Sequence, residues 1–165
     1  MTLDPAYKKS KSVEWFTPKI VFDTLNVNFD LDPASSNMVN NVPTKKYFTE
    51  SDNGLKKDWN GFVWLNPPYS RNMEKWVEKF INHGNGIMLL FSRTDTKLFH
   101  NFLINADCFV FARGRISFEP NGKKIKLKGR IGPSLFVGCG ELAIKALKNI
   151  DGLYIDLRRI NDRSS

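Results

Sequence analysis

Four consecutive residues, Asn66, Pro67, Pro68 and Tyr69, combine two carbonyl acceptors with an aromatic ring. Asn66 carries a side-chain carbonyl, and Pro67 adds a backbone carbonyl. The two prolines lack N–H groups and stiffen the loop, keeping it out of any ladder. An amine conjugated to a purine ring is a poor nucleophile because its lone pair is delocalised. Two acceptors aimed at its hydrogens would draw it toward tetrahedral geometry, which is what adenine N6 needs to attack a methyl donor. Tyr69 offers a face on which a base turned out of its stack could rest. The bland alternative is a stiff turn joining a strand to a helix.

The flanking residues place this loop where chemistry is expected. Gly61-Phe62-Val63-Trp64-Leu65 reads as a buried strand, stopped by the prolines. Met73, Trp76, Val77, Phe80 and Ile81 recur at helical spacing, and Gly84 and Gly86 end that helix. Ile87-Met88-Leu89-Leu90-Phe91 is wholly apolar, as a strand covered on both faces would be. A helix marked by Leu98, Phe99, Phe102 and Leu103 and a strand over Cys108-Phe109-Val110-Phe111 follow. This alternation predicts an α/β fold with a mostly parallel sheet, and such sheets bind ligands just beyond the carboxyl ends of their strands.

Upstream, Thr17 reads as an N-cap and Pro18 as the first residue of a short helix carrying Ile20, Val21, Phe22 and Leu25. Phe29-Asp30-Leu31-Asp32 reads as a strand stopped by Pro33, with a helix across 36–41 and a strand at 46–49. Downstream, Ile116-Ser117-Phe118 and Leu135-Phe136-Val137 flank a lysine-rich stretch expected to be a long hairpin loop. A helix over 141–149 and a strand at 153–155 close an antiparallel edge. The expected organisation is a flexible basic segment over 1–12 and one compact domain over 13–165, with no separate target-recognition domain.

The chain has 165 residues, Lys and Arg outnumber Asp and Glu 25 to 17, and the net charge is +8. That balance favours a polyanionic partner, although many small basic proteins bind nothing specific. The start of the sequence lacks a signal peptide's pattern and no apolar window is long enough to span a membrane, so a cytoplasmic protein without membrane attachment is expected. Cys108 and Cys139 stand alone in apolar runs and only two histidines are present, so no metal site is expected. Trp15, Trp59, Trp64 and Trp76 read as core residues more than as base platforms, with Trp15 the first candidate for an exception.

Several segments together resemble the phage-type (Dam-like) DNA N6-adenine methyltransferase family. They are Glu14-Trp15-Phe16-Thr17-Pro18, Phe29-Asp30-Leu31-Asp32-Pro33-Ala34-Ser35, Asp52-Asn53-Gly54-Leu55 with Trp59, and Asn66-Pro67-Pro68-Tyr69-Ser70. Leu90-Phe91-Ser92-Arg93-Thr94-Asp95-Thr96 and Gly114-Arg115-Ile116-Ser117-Phe118 extend the likeness.

The resemblance implies a Rossmann-like class I sheet, S-adenosyl-L-methionine as cofactor, double-stranded DNA as partner, a phage or prophage origin and a monomer or weak dimer. It implies that Asn66 and the Pro67 carbonyl hold the target amine, that Pro68 stiffens the loop and that Tyr69 stacks the base. Asp32, Pro33, Ala34 and Ser35 match the cofactor motif after the first strand, and Thr17 and Pro18 the segment capping the methionine moiety. Asp52 with Leu55 matches the turn at the cofactor's adenine, with Glu50 a competing acid. Ser35-Ser36-Asn37 stands where many methyltransferases carry a glycine-rich loop. For DNA contact the candidates are Ser70, Arg71, Arg93, Arg113, Arg115, Lys123, Lys124 and Lys126, because positive charge neutralises phosphates. An amine methyltransferase for RNA or protein glutamine, or an inert nucleic-acid-binding module, are the alternatives on the same residues.

Overall fold

The structure, a computed structural model, describes residues 15–37, 40–120 and 132–161. A two-residue strand, β1 (Trp15–Phe16), pairs antiparallel with β7 (Glu119–Pro120). The remaining strands are β2 (Phe29–Asp32), β3 (Thr44–Tyr47), β4 (Val63–Leu65), β5 (Gly86–Phe91), β6 (Cys108–Ala112), β8 (Ser134–Cys139) and β9 (Gly152–Asp156). They form one seven-stranded sheet in the order β3-β2-β4-β5-β8-β6-β9.

Neighbours from β3 to β5 are parallel, whereas β8 runs antiparallel to both β5 and β6, and β9 antiparallel to β6. The fold is thus α/β with a mixed sheet. The antiparallel edge expected from the sequence exists at β9, but the reversed strand β8 lies inside the sheet. Its composition explains this: Ser134–Cys139 is buried along its whole length, and an interior slot covers both faces. The hairpin expected between 116–118 and 135–137 does not form, because Glu119–Pro120 turns to β1 while β8 pairs with β5 and β6.

Successive strand residues face opposite layers. Trp64, Ile87, Leu89, Val110 and Phe136 pack against Val21, Phe22 and Leu25 of α1 (Lys19–Leu25) and Ala143 and Leu147 of α4 (Glu141–Leu147). Val63, Leu65, Met88, Leu90, Leu135 and Val137 meet Trp76, Val77 and Phe80 of α2 (Met73–His83) on the other face. Of the four tryptophans expected in the core, Trp59, Trp64 and Trp76 are buried there. Helix α2 ends on Gly84, whose φ of 69° is the left-handed conformation that glycine adopts without strain.

Some boundaries differ from expectation. Helix α1 begins at Lys19 with Pro18 as its N-cap, so Thr17 lies outside it and caps nothing. A proline in extended geometry (φ −66°, ψ 146°) turns the chain into the helix without a side-chain acceptor. No helix occurs among the described residues of 36–41, of which Met38 and Val39 lie outside the description. The second strand runs Thr44–Tyr47 instead of 46–49, and Phe48 drops into the core beyond it. The helix at Leu98 is short: α3 (Lys97–Asn101) gives way to a 3-10 turn at Leu103–Asn105. The expected flexible segment 1–12 lies outside the described residues, and α5 (Arg158–Asn161) is the last element among those described.

Candidate active site

The chain leaves β2, visits β3 on one side, then returns to β4 on the other. Strand order therefore reverses between β2 and β4, the switch point beyond which open sheets of this kind bind ligands. Leu31 pairs with Val63, so Asp32 and the Asn66 loop emerge side by side at this edge.

Asn66 is half-buried and its side chain makes no hydrogen bond with any described residue. The Pro67 carbonyl likewise receives no donor among the described residues, whereas the Pro68 carbonyl accepts from Ser70 N–H at 2.9 Å. The loop thus commits one proline carbonyl to its own turn and leaves the other, together with Asn66, available. Tyr69 is half exposed. Its hydroxyl accepts from Phe91 N–H at 2.8 Å, and its ring centroid lies 4.8 Å from that of Phe91. Desolvation pushes the phenol up to about 12, so it stays protonated.

Asp32 is buried at 4% exposure, beside the uncommitted loop. Ala34 N–H donates to its Oδ1 at 3.1 Å, but burial outweighs that bond and raises the carboxyl to about 7. Ser35 Oγ is buried too; it lies near enough to favour the ionised acid yet makes no hydrogen bond of full geometry. Ser35 N–H reaches Phe48 O at 2.8 Å, and Phe48 N–H reaches Asp32 O at 2.8 Å, so the ends of β2 and β3 are laced together.

The turn carrying the other acids sits directly on this loop. A Cβ on Gly54 would lie 2.0 Å from Pro33 O, so only glycine permits the approach. Asp52 is committed locally: its carboxylate accepts from Thr49 N–H and Oγ1, both at 2.8 Å, and these bonds hold its pKa below the usual range. Glu50 is exposed on the same 3-10 turn, and Leu55 packs on the core. Trp59 Nε1 donates to Gly54 O at 2.9 Å, which fixes the turn from below.

Thr17 is buried, and its carbonyl accepts from Asn41 Nδ2 at 2.6 Å. Helix α1 runs back against β2, so Thr17 and Pro18 lie toward the same carboxyl edge. The β1–β7 pairing brings Glu119 opposite Phe16, and buried Phe118 stands edge-on to Phe91 at 6.4 Å.

The basic candidates divide. Ser70 and Arg71 are exposed immediately after Tyr69, and Arg93 is exposed close enough to the Tyr69 hydroxyl to favour its ionised form. Arg115 is exposed after Gly114. Arg113 is paired, its Nε 3.1 Å from Asp151 Oδ1. Lys123, Lys124 and Lys126 lie outside the described residues.

Sequence reasoning named Phe91, Phe118 and Gly54 only within segments of family likeness and assigned no site role to them or to Asn41. The Asn-Gly step at Asn53-Gly54 was the one legible signal. Among the described residues no cluster of three His, Cys, Asp or Glu suits a metal ion, and no helix is long and apolar enough to cross a membrane.

Residues 5–147 match the family described as DNA N-6-adenine-methyltransferase (Dam). A protein of Haemophilus phage HP1 named DNA N-6-adenine-methyltransferase is 32% identical over 124 residues, 69% of this chain and 70% of its own length. A protein of the same name from Escherichia phage T1 is 32% identical over 126 residues. That match covers 71% of this chain and about half of the relative, 52%. No solved structure matches the chain. Adjacent carboxyl-edge loops with an open Asn-Pro carbonyl pair and a match over most of the chain agree: the protein belongs to the DNA N-6-adenine-methyltransferase (Dam) family.

Proposed function

We propose that the protein methylates the N6 amine of an adenine flipped out of double-stranded DNA, on a Rossmann-like class I methyltransferase sheet. The observation that carries this is the pair of uncommitted carbonyls, Asn66 Oδ1 and Pro67 O, in a proline-stiffened loop beside a buried acid. Both accept from the two N6 hydrogens as the nitrogen becomes tetrahedral, so the amine is stabilised most where the reaction needs it. Pro68 fixes the loop between them and the stacking face of Tyr69.

The Asp32 loop suits S-adenosyl-L-methionine. A buried carboxyl poised near neutrality, with Ser35 Oγ unsatisfied beside it, suits a cationic polar ligand. Pro33 and Ala34 shape that wall, Thr17 and Pro18 close over the methionine end, and Leu55 with Glu50 or Asp52 borders the adenosine. Glu50 is the freer acid for the ribose hydroxyls, because Asp52 is spent on Thr49. The cofactor supplies an electrophilic methyl group on a sulfonium. The protein's part is to hold the amine in line, exclude water and leave Asn66 uncharged throughout.

Ser70, Arg71, Arg93, Arg113 and Arg115 line the DNA approach, and Lys123, Lys124 and Lys126 are further candidates by their charge alone. A DNA substrate and phage-encoded relatives imply work in a bacterial host's cytoplasm. Transfer of labelled methyl from S-adenosyl-L-methionine to DNA, RNA and protein tests the reading. Label only in DNA, recovered as N6-methyladenine and lost in Asn66→Ala, is the expected result; labelling of RNA or protein alone, or none with cofactor bound, overturns it.

A further inference from the structure

We propose that Phe91 is a positioning residue, whose main-chain N–H and ring clasp Tyr69 into a preset platform for the target base. The proposal rests on the adenine-methylation reading of the loop. Strand β4 stops at Leu65, which pairs with Met88, while β5 runs three residues further to Phe91. On the other side Phe91 faces Ser134 of β8, and the next residue's N–H already donates to Pro133 O at 2.8 Å. Phe91 N–H thus points where β4 would have continued, and Asn66-Pro67-Pro68 has taken that strand away. The Tyr69 hydroxyl fills the vacated ladder position at 2.8 Å.

Two constraints then fix one half-exposed ring: the hydroxyl at its tip, and the Phe91 ring 4.8 Å away at a 35° tilt. Phe91 is itself braced edge-on by buried Phe118, which β7 and β1 hold in place. A free surface tyrosine loses rotamer entropy when a base stacks on it; here that ordering accompanies folding instead. The phenol's orientation, not only its aromatic face, therefore contributes to catalysis. A tyrosine that merely satisfied a strand-end N–H would give no such coupling.

Tyr69→Phe keeps the face and removes the clasp, and Phe91→Leu keeps the N–H and removes the ring. Each should lower kcat/KM on DNA about 10-fold, with cofactor Kd within about 2-fold, because small misalignments are costly in rate. The double variant should be no slower than the slower single, since both dismantle one platform. Amide exchange reads the clasp without any substrate: Phe91 N–H should be protected in the wild type and exchange at least about 10-fold faster in Tyr69→Phe. An unprotected Phe91 amide, wild-type rates in Tyr69→Phe, or losses that multiply in the double variant would each overturn the proposal. A wild type that keeps the protected amide but methylates no DNA removes the functional reading instead, and the platform's purpose with it.

Discussion

Asn66 and Asp32 stand a strand apart yet ask opposite things of their surroundings. Asn66 must keep an acceptor unspent, and Asn66→Ala removes it; kcat should fall about 100-fold or more with cofactor affinity nearly unchanged, as losing one preorganised transition-state partner usually costs. Single-turnover rates beside equilibrium binding separate the two effects. Asp32 instead carries a penalty. Burial raises its folded pKa to about 7 from an unfolded value of 3.8. The neutral acid's contribution is therefore full below about pH 4 and declines as the unfolded carboxyl ionises, until it is gone above about pH 7, a change of a few kcal/mol. Melting of the free protein should show that fall between pH 4 and 7, and Asp32→Asn should flatten it. On the proposed reading cofactor binding favours the ionised acid, so affinity should climb toward pH 7 in the wild type and be weak and pH-independent in Asp32→Asn. Equal pH profiles for the two proteins would remove Asp32 from the cofactor site.

Elements position these residues through a few close approaches. Gly54 is the sharpest: an added Cβ would meet Pro33 O at 2.0 Å, so Gly54→Ala must push the acid-bearing turn off the Asp32 loop. Overpacking of this kind costs about 1–3 kcal/mol, or roughly 3–10 °C in Tm, and cofactor affinity should drop with it while DNA binding holds. Calorimetry with and without cofactor decides this. The contrast with what the sequence made legible lies at this scale. The runs ending in Leu65 and Phe91 and the helix spacing from Met73 to Ile81 located β4, α2 and β5 almost to the residue, because burial on fixed faces writes a period into the chain. The turns from Pro33 to Asn60 wrote none. Their geometry comes from long-range backbone bonds such as Phe48 N–H to Asp32 O and from one glycine's close approach, neither of which has a periodic signature. The interior place of β8 was hidden for a related reason: an apolar run says that both faces are covered, not which neighbours cover them. Asn66-Pro67-Pro68-Tyr69 was readable, but the clasp on Tyr69 depended on where β4 stops relative to β5.

Across the whole molecule the charge of +8 sets how DNA is met. If about five phosphates are neutralised, affinity should fall roughly 500-fold between 50 and 200 mM salt, following the release of condensed counterions. The basic residues should not share this equally. Arg93 is exposed beside Tyr69 with no ion-pair partner among the described residues, so Arg93→Ala should reduce the slope of log K against log salt by about 1. Arg113 is held by Asp151 at 3.1 Å with its main-chain N–H on Asp151 O, so its charge is partly spent before DNA arrives. Arg113→Ala should change the slope by much less, and Asp151→Asn should steepen it slightly by freeing the guanidinium. Salt titrations of fluorescent duplex binding for these variants measure each slope. Equal slopes for Arg93→Ala and wild type would place the phosphates away from the catalytic edge and break the link between the basic surface and the Asn66–Tyr69 loop.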